Sequence, residues 1–342
     1  MSLSSILRKE NNRKNVKTWF RQNFPLPKIN SEKSILIKSK YYSPSLIGTA
    51  FDYLMRFEIK RINKNTFENQ WNADVVIEAL KKKLTDKNSL LDKEKKEEIK
   101  LLVSDYRKGL KTLDRFLSTG VPSNKLIDFT TLLARLDFKY RTKTLASFLH
   151  ISEDQAIDEI KKLHEITPWN EFQTEEKCFL NPTFEKGSSL VNGADADLII
   201  GNILIDIKTS KTLELTRSDF NQILGYYILS LIGKINGKHR SPVNKIGIYF
   251  ARYGYLWACS LSDYFDEKEF NTRIVSEFTS MINDPSISFP YKKIKKRTRK
   301  KSQIKKFISP NTSRKINPSS YPEKKKKLPP STRFDLLDDD VL

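Results

Sequence analysis

Residues 193–209 read GADADLIIGNILIDIKT and predict two β-strands joined by a tight turn. Each half contains a short apolar run, LII in the first and ILI in the second, with the β-branched composition of a strand buried in a sheet. Gly201-Asn202 separates the two runs, and a glycine-containing pair in this position is typical of a two-residue hairpin turn. We therefore expect a β-hairpin in the interior of a sheet.

Charged side chains interrupt this apolar hairpin. Side chains alternate in direction along a strand, so Asp195 and Asp197 share one face of the first strand, and Asp206 and Lys208 share one face of the second. Ionised side chains inside a sheet are very costly unless they are paired or bound to a cation. A cross-strand Asp–Lys ion pair on a solvated face is the alternative explanation. Because the neighbouring runs are too apolar for an exposed sheet, the pattern favours a metal site.

The residue types at this site favour a hard cation. Carboxylate oxygens with no cysteine or histidine in the same stretch favour Mg²⁺, or Mn²⁺, over zinc. Such a cation would activate a bound water and stabilise charge that grows on a phosphate oxygen. Lys208 lies two residues after Asp206 and could hydrogen-bond the attacking water or neutralise the transition state.

The elements around the hairpin predict an α/β core with a mixed sheet. Upstream, residues 43–62 have helical apolar spacing with Ser43 or Ser45 as the N-cap, and residues 74–166 are expected to be helical, with a stop near Gly120. Strand and helix patterns follow. In order, they are a strand at 178–184 before the hairpin, then a helix at 218–232, strands at 244–253 and 255–261 around Gly254, and an amphipathic helix at 267–282.

One pattern in the helical region is similar to a helix-turn-helix. Residues 142–163 have its apolar spacing, but the second helix presents Glu153, Asp154, Asp158 and Glu159, which DNA phosphates would repel. We therefore expect a structural helical pair there.

The net charge of +21 suggests a polyanionic partner, and most of this charge lies near the C-terminus. Residues 292–327 contain sixteen Lys or Arg and one acidic residue, Glu323, whereas residues 1–291 are only mildly basic. We expect 291–342 to be a disordered basic tail that binds nucleic acid weakly. Its acidic end, FDLLDDD at 334–340, could dock on a protein partner or serve only for solubility.

The composition also excludes several classes of protein. No run of eighteen apolar residues occurs and no apolar signal region follows Met1, so we expect an intracellular protein, cytoplasmic or nucleoid-associated, with no membrane partner. Cys178 and Cys259, expected to be buried thiols, and three scattered histidines give neither a disulfide framework nor zinc-ligand spacing. No glycine-rich Lys-Ser/Thr phosphate loop is present, so a helicase or ATPase would be a separate protein.

Four parts of the sequence, in this order, resemble the PD-(D/E)xK nuclease superfamily, and in particular its RecB-like branch. They are GTAFD at 48–52, GADAD at 193–197, DIK at 206–208 and QILGY at 222–226. In that branch an Asp precedes an Asp-x-Lys strand, a Gln-x-x-x-Tyr helix follows, and an upstream helix usually begins with Gly-Thr. The resemblance implies a restriction-endonuclease-like core, with a central mixed β-sheet flanked by helices and an inserted helical subdomain.

The resemblance also implies roles for single residues. Asp197 matches the first motif acid, and Asp206 and Lys208 match the Asp-x-Lys pair. The main-chain carbonyl of Ile207 would be a further metal ligand. We therefore expect these residues to form the catalytic centre.

Other motif residues would complete or support that centre. Gln222 and Tyr226 share a helix face and could support the site or grip a backbone phosphate. Asp52 stands where the branch often has a histidine, so its role as a metal ligand stays open. Glu58, on nearly the opposite side of the same helix and expected to be exposed, is a second choice, and Asp195 is a rival or helper to Asp197.

These patterns divide the chain into four segments. They are the N-terminal part of the nuclease domain at 1–73, a helical subdomain at 74–176, the catalytic core at 177–290 and the basic tail at 291–342. The sequence favours a metal-dependent nuclease that hydrolyses DNA by a metal-activated water, in DNA processing, recombination or defence. An RNA-directed nuclease and a catalytically silent nucleic-acid-binding scaffold stay open as alternatives.

Overall fold

The computed structural model describes residues 3–8, 14–29, 32–39, 44–86, 91–142, 154–263, 266–284 and 286–287. The expected tail at 291–342 lies outside the described residues, as do Ser43 and residues 143–153 of the expected helical pair. Every residue assigned to the catalytic centre is described.

A mixed sheet of six strands runs through the described residues. The strands are β1 Thr66–Glu68, β2 Cys178–Leu180, β3 Leu198–Ile200, β4 Ile203–Lys208, β5 Lys245–Phe250 and β6 Tyr255–Ser260. Their spatial order follows the chain, with β1 parallel to β2, β4 parallel to β5, and the other neighbouring pairs antiparallel. The hairpin expected at 193–209 supplies β3 and β4, with Gly201-Asn202 as its turn.

Helices cover both faces of this sheet. They are α1 Leu3–Arg8, α2 Lys14–Asn23, α3 Pro44–Ile62, α4 Asn72–Thr85, α5 Lys93–Thr119, α6 Asn124–Thr142, α7 Asp154–Glu165, α8 Lys186–Leu190, α9 Arg217–Ile232, α10 Glu267–Glu269 and α11 Val275–Asn283. A π-helical segment, Phe270–Ile274, joins α10 to α11. Single-turn 3₁₀ segments lie at Trp169–Phe172, Ala251–Tyr253 and Leu261–Asp263.

Alternate residues of the central hairpin point to two separate cores. Ile199 and Leu204 pack with α1, α2, α9 and α11 on one face. Leu198 and Ile205 pack with α3 to α7 on the other face. Both faces of the hairpin are therefore buried, which explains why its strands read as continuous apolar runs rather than as an alternating pattern.

The α/β class with a mixed sheet is confirmed, and so is the helix stop at Gly120, which has a left-handed φ of 72°. The strands expected at 178–184 and in the first half of the hairpin are shorter than expected. β1, α1 and α2 were not predicted from the sequence. The expectation that Cys259 is buried is wrong, because this thiol is partly exposed on β6. No helix of the described chain is long and apolar enough to cross a membrane.

Arg252 is fully buried just after β5 and ties several segments together. Its guanidinium donates to the carbonyl of Thr209 at 2.7 Å, donates to the carbonyl of Ile37, and forms an ion pair with Glu159 on α7. Its own carbonyl accepts a hydrogen bond from the N–H of Leu36 at 2.9 Å. The expectation that Glu159 is presented to solvent is wrong, because this carboxylate is buried with Arg252.

Replacing Arg252 with methionine should therefore destabilise the protein strongly. Arg252→Met leaves the Glu159 carboxylate buried without this cation, and we expect the free energy of unfolding to fall by about 3–5 kcal/mol. Urea denaturation measures the change. The control is Arg107→Met, an exposed arginine on α5 that should change stability by less than about 0.5 kcal/mol. Equal effects of the two substitutions would contradict this role for Arg252.

Candidate active site

β4 extends beyond β3 at the end that carries the charged residues. Pairing with β3 ends at Leu198 opposite Ile205, whereas pairing with β5 continues as far as Lys208. The N–H of Ile207 lies past the β3 ladder and donates to the Asp197 carboxylate at 2.7 Å. The Asp197 carboxylate thus accepts a main-chain hydrogen bond that a neighbouring strand would otherwise accept. This bond fixes Asp197 at the open end of the hairpin, opposite the Gly201-Asn202 turn.

Lys208 lies between two carboxylates at this end of β4. Its Nζ is 2.9 Å from Asp206 Oδ2 and 3.1 Å from Asp219 Oδ1. Asp219 belongs to the first turn of α9, where the Thr216 hydroxyl accepts a hydrogen bond from the Asp219 N–H. Burial alone would lower the pKa of Lys208, but Asp206 and Asp219 outweigh it and hold that pKa above its usual value. Lys208 is therefore a cation that joins β4 to α9.

α3 approaches the same end of β4 through a small residue. A Cβ on Gly48 would lie only 2.9 Å from Thr209 Oγ1, just after β4. Asp52 lies one turn further along α3, and burial together with the charge of Asp52 raises the pKa of Asp197 to about 7. Asp52 Oδ2 accepts a hydrogen bond from Arg56 at 2.7 Å, whereas Asp52 Oδ1 is buried with no hydrogen-bond partner among the described residues.

Gln222 and Tyr226 lie one turn apart on α9 and contact each other. Gln222 Nε2 donates to the Tyr226 hydroxyl at 2.9 Å. Burial raises the pKa of Tyr226, Gln222 opposes this, and the charges of Asp206 and Asp197 raise it further. The Tyr226 hydroxyl is therefore protonated at neutral pH and lies within electrostatic reach of both carboxylates.

Negative charge dominates the centre of the site. Asp206 is 3% exposed, and burial raises its pKa to about 7, with Lys208 opposing the rise and Asp197 adding to it. Burial also raises the pKa of Asp52, which Arg56 opposes. Two cations, Lys208 and Arg56, are thus set among four buried or partly buried carboxylates, and the cluster would be stabilised by a further positive charge.

α6 brings two residues to the site that sequence analysis did not identify. Arg141 and Asp137 form an ion pair of 2.8 Å near the end of α6, and their charges act on Asp52. No motif spacing links α6 to the hairpin, so only the folded chain reveals this electrostatic interaction. Asp219 was also missed, although Thr216-x-x-Asp219 before an apolar helix is a capping pattern that the sequence displays.

The two rival ligands are less well positioned than Asp197. Asp195 is exposed, and its charge raises the pKa of Asp197 only weakly. Glu58 is buried, and it accepts hydrogen bonds from Arg61 and lies 3.3 Å from His164 Nε2. The expectation that Glu58 is exposed is wrong. Its side-chain partners Arg61 and His164 belong to α3 and α7 rather than to the hairpin.

The chemistry of the cluster suits a hard cation. Within the described ranges, no three His, Cys, Asp or Glu side chains form a ready-made metal shell, and the Asp206 and Asp52 carboxylates are turned to Lys208 and Arg56. The donors are nevertheless all oxygen atoms, and one buried oxygen of Asp52 has no hydrogen bond from the described residues. Mg²⁺ commonly keeps several waters and takes only one or two protein carboxylates, so the residues present fit this ion.

The comparisons with known proteins give no match. No protein-family model, no curated protein and no solved structure matches the chain. The assignment of the site therefore rests on the geometry and the electrostatics of the described residues.

Asparagine in place of Asp197 should stabilise the metal-free protein. Asp197→Asn removes the repulsion with Asp52 and keeps an oxygen that can accept from the Ile207 N–H. We expect the free energy of unfolding in chelator at pH 8 to rise by about 1 kcal/mol, less than full burial would give, because solvent reaches part of Asp197. Asp158→Asn, at an exposed ion pair on α7, is the matched control and should not stabilise. A loss of stability in Asp197→Asn would contradict the repulsion.

Glu58 should contribute stability that is lost on acidification. Burial raises the pKa of Glu58, but hydrogen bonds from His164 and Arg61 outweigh it and hold that pKa below its usual value. A carboxyl group whose pKa is lowered by folding stabilises the protein above its unfolded pKa, and this stabilisation disappears as the pH falls through the folded pKa.

Urea denaturation between about pH 6 and about pH 3 tests this contribution, since the unfolded pKa of a glutamate is about 4.3. The free energy of unfolding should fall more steeply with decreasing pH in the wild type than in Glu58→Gln. Glu165→Gln, an exposed glutamate beside His164, should keep the wild-type slope. Equal slopes for Glu58→Gln and wild type would show that the His164 and Arg61 contacts do not stabilise the fold.

Proposed function

We propose that this chain is a metal-dependent nuclease of the PD-(D/E)xK type, close to the RecB-like branch, that hydrolyses DNA phosphodiester bonds. The observation that carries the proposal is the meeting of Asp197, Asp206 and Lys208 at the open end of one hairpin, with Asp52 approaching from α3. The mixed sheet with helices on both faces is compatible with a restriction-endonuclease-like core.

Asp197, Asp206 and Asp52 are the residues that would hold Mg²⁺ or Mn²⁺, and the Ile207 carbonyl is the further ligand that the family resemblance implies. Two observations support these three carboxylates as ligands. The pKa of each carboxyl group is raised, and one oxygen of Asp52 has no hydrogen-bond partner among the described residues. When bound, such a cation supplies an activated water and stabilises charge on the phosphate.

The residues of the chain would orient the phosphate and balance its charge. Lys208 stays protonated at neutral pH, because Asp206 and Asp219 favour its cationic form, and Asp219 holds its ammonium group beside Asp206. From that position Nζ can donate to a phosphate oxygen as negative charge develops there. Gln222 and the protonated Tyr226 hydroxyl are neutral donors on the adjacent helix and can grip a backbone oxygen.

The substrate would enter past α6. The Arg141 side chain is 63% exposed, and its charge acts on Asp52 and Asp195, so it is available to a phosphate near the carboxylates. The helical region would then cover one side of the substrate. The basic sequence at 292–327 adds affinity without base specificity, and a helicase or ATPase would be a separate protein.

Cleavage of labelled linear, circular and single-stranded DNA tests the function. The assay compares Mg²⁺, Mn²⁺ and chelator, and it compares wild type with Asp206→Ala and Lys208→Ala. We expect metal-dependent cutting that falls by about 100-fold or more in both variants, a typical loss when a group that stabilises the transition state is removed. The matched controls are Asp158→Ala and Lys162→Ala, which remove one exposed ion pair on α7 and should cut at the wild-type rate.

Thermal melting adds a readout that does not need turnover. Mg²⁺ or Mn²⁺ should raise the melting temperature of the wild type by about 2 °C and leave Asp206→Ala unchanged, since a ligand stabilises only the state that binds it. Cutting of matched RNA but not of DNA would change the substrate to RNA. If the metal neither raises the melting temperature nor supports cutting, and nucleic-acid binding is intact, the protein is a catalytically silent scaffold.

A further inference from the structure

A second charged pocket lies beside the first turn of α9. It has a volume of about 410 Å³. Arg217 and Asn221 are four residues apart and share one side of the helix, whereas Asp219 lies on nearly the opposite side and contacts Lys208. α9 therefore separates this pocket from Lys208 and Asp206. The polar residues that line it come from α2 and α9, and they are Lys17, Thr18, Arg21, Arg217, Ser218 and Asn221.

Basic residues are gathered in this pocket without an acidic residue among its described lining. Burial and the neighbouring Arg21 lower the pKa of Arg217, so the two guanidinium groups repel each other. Arg217 Nη1 donates to the carbonyl of Phe24 at 2.7 Å, which fixes the guanidinium at the pocket. A cation in the first turn of a helix is also unfavourable with the helix dipole. An anion in the pocket would offset both repulsions.

Asn221 adds a polar side chain to the wall of the pocket. It is 5% exposed, and its Oδ1 is buried with no hydrogen-bond partner in the described part of the chain. Its amide nitrogen is the atom that can donate to a bound anion, because an amide oxygen only accepts. The N–H groups of Arg217 and Ser218, the first two residues of α9, add donors at the helix end, whereas the N–H of Asp219 donates to Thr216.

We propose that this pocket binds a phosphate group of the nucleic-acid substrate. The role in the substrate rests on the nuclease function proposed above, but the binding of phosphate does not. Guanidinium groups, an amide and a helix N-terminus are the donors that match the oxygens of a phosphate. A helix is about 10 Å wide, so the phosphate held here is not the one that reacts at Lys208. The pocket would hold a neighbouring phosphate and fix the register of the strand.

The test measures binding to the full chain in chelator, where cleavage cannot occur. Calorimetry with inorganic phosphate measures the pocket alone, and fluorescence anisotropy compares 12-nucleotide DNA strands with and without a terminal phosphate. The variants are Arg21→Gln, which is exposed and should not disturb folding, and Arg217→Gln. Arg107→Gln, which removes an exposed charge on α5 outside the pocket, is the matched control.

We expect the dissociation constant of inorganic phosphate to rise about tenfold in both pocket variants and to stay unchanged in Arg107→Gln. A terminal-phosphate site predicts tighter binding of the phosphorylated strand, and this preference should disappear in Arg21→Gln. An internal-phosphate site predicts equal weakening of both strands in Arg21→Gln. Phosphate binding without any effect on the strands would overturn the link to nucleic acid.

Absence of phosphate binding, with equal effects of Arg21→Gln and Arg107→Gln on both strands, would overturn the proposal as a whole. Failure of the nuclease function alone gives a different result. In that case the strands are not cut when metal is present, but phosphate binding still depends on Arg21 and Arg217.

Discussion

The desolvation of the Asp206 carboxylate is the constraint on which the arrangement of the site depends. Asp206 belongs to β4, which is paired over its whole length with β5 and is covered on both faces. A carboxylate in that position needs a positive charge, and Lys208 provides one from the same strand face at 2.9 Å. Lys208 also pairs with Asp219, and this contact joins the first turn of α9 to the end of β4.

The remaining carboxylates add repulsion that packing has to overcome. Gly48 has no Cβ and therefore allows α3 to approach Thr209 closely, and this contact holds Asp52 near Asp197 in spite of their like charges. Buried acids with raised pKa values destabilise a fold and are typical of sites where a ligand or a reaction uses their charge. The hydrogen bonds and ion pair of Arg252 supply compensating stability at the same end of the sheet, because one of these hydrogen bonds goes to the carbonyl of Thr209.

The sequence predicted the elements whose signals are local. α9 and the strands around Gly254 each had a complete apolar pattern, and the structure has them close to where they were expected. In the hairpin, β4 and the Gly201-Asn202 turn lie as predicted, whereas β3 is shorter than its pattern suggested. β1 was missed because three residues carry too little pattern, and they form a strand only by pairing with β2 across a long separation in sequence. Burial of Glu58 and the approach of α6 to Asp52 were missed for the same reason, since partners from distant helices determine both.

Residues of opposite charge lie two positions apart in the first turn of α9. Asp219 is favourable there, because it caps the helix, complements the dipole and pairs with Lys208. Arg217, two residues earlier, is unfavourable with the same dipole and lies beside Arg21. The carbonyl of Phe24 and the ring of Phe220, 5.9 Å from the guanidinium carbon, hold Arg217 in this position. Neither contact neutralises its charge, whereas an anionic ligand in the pocket would do so.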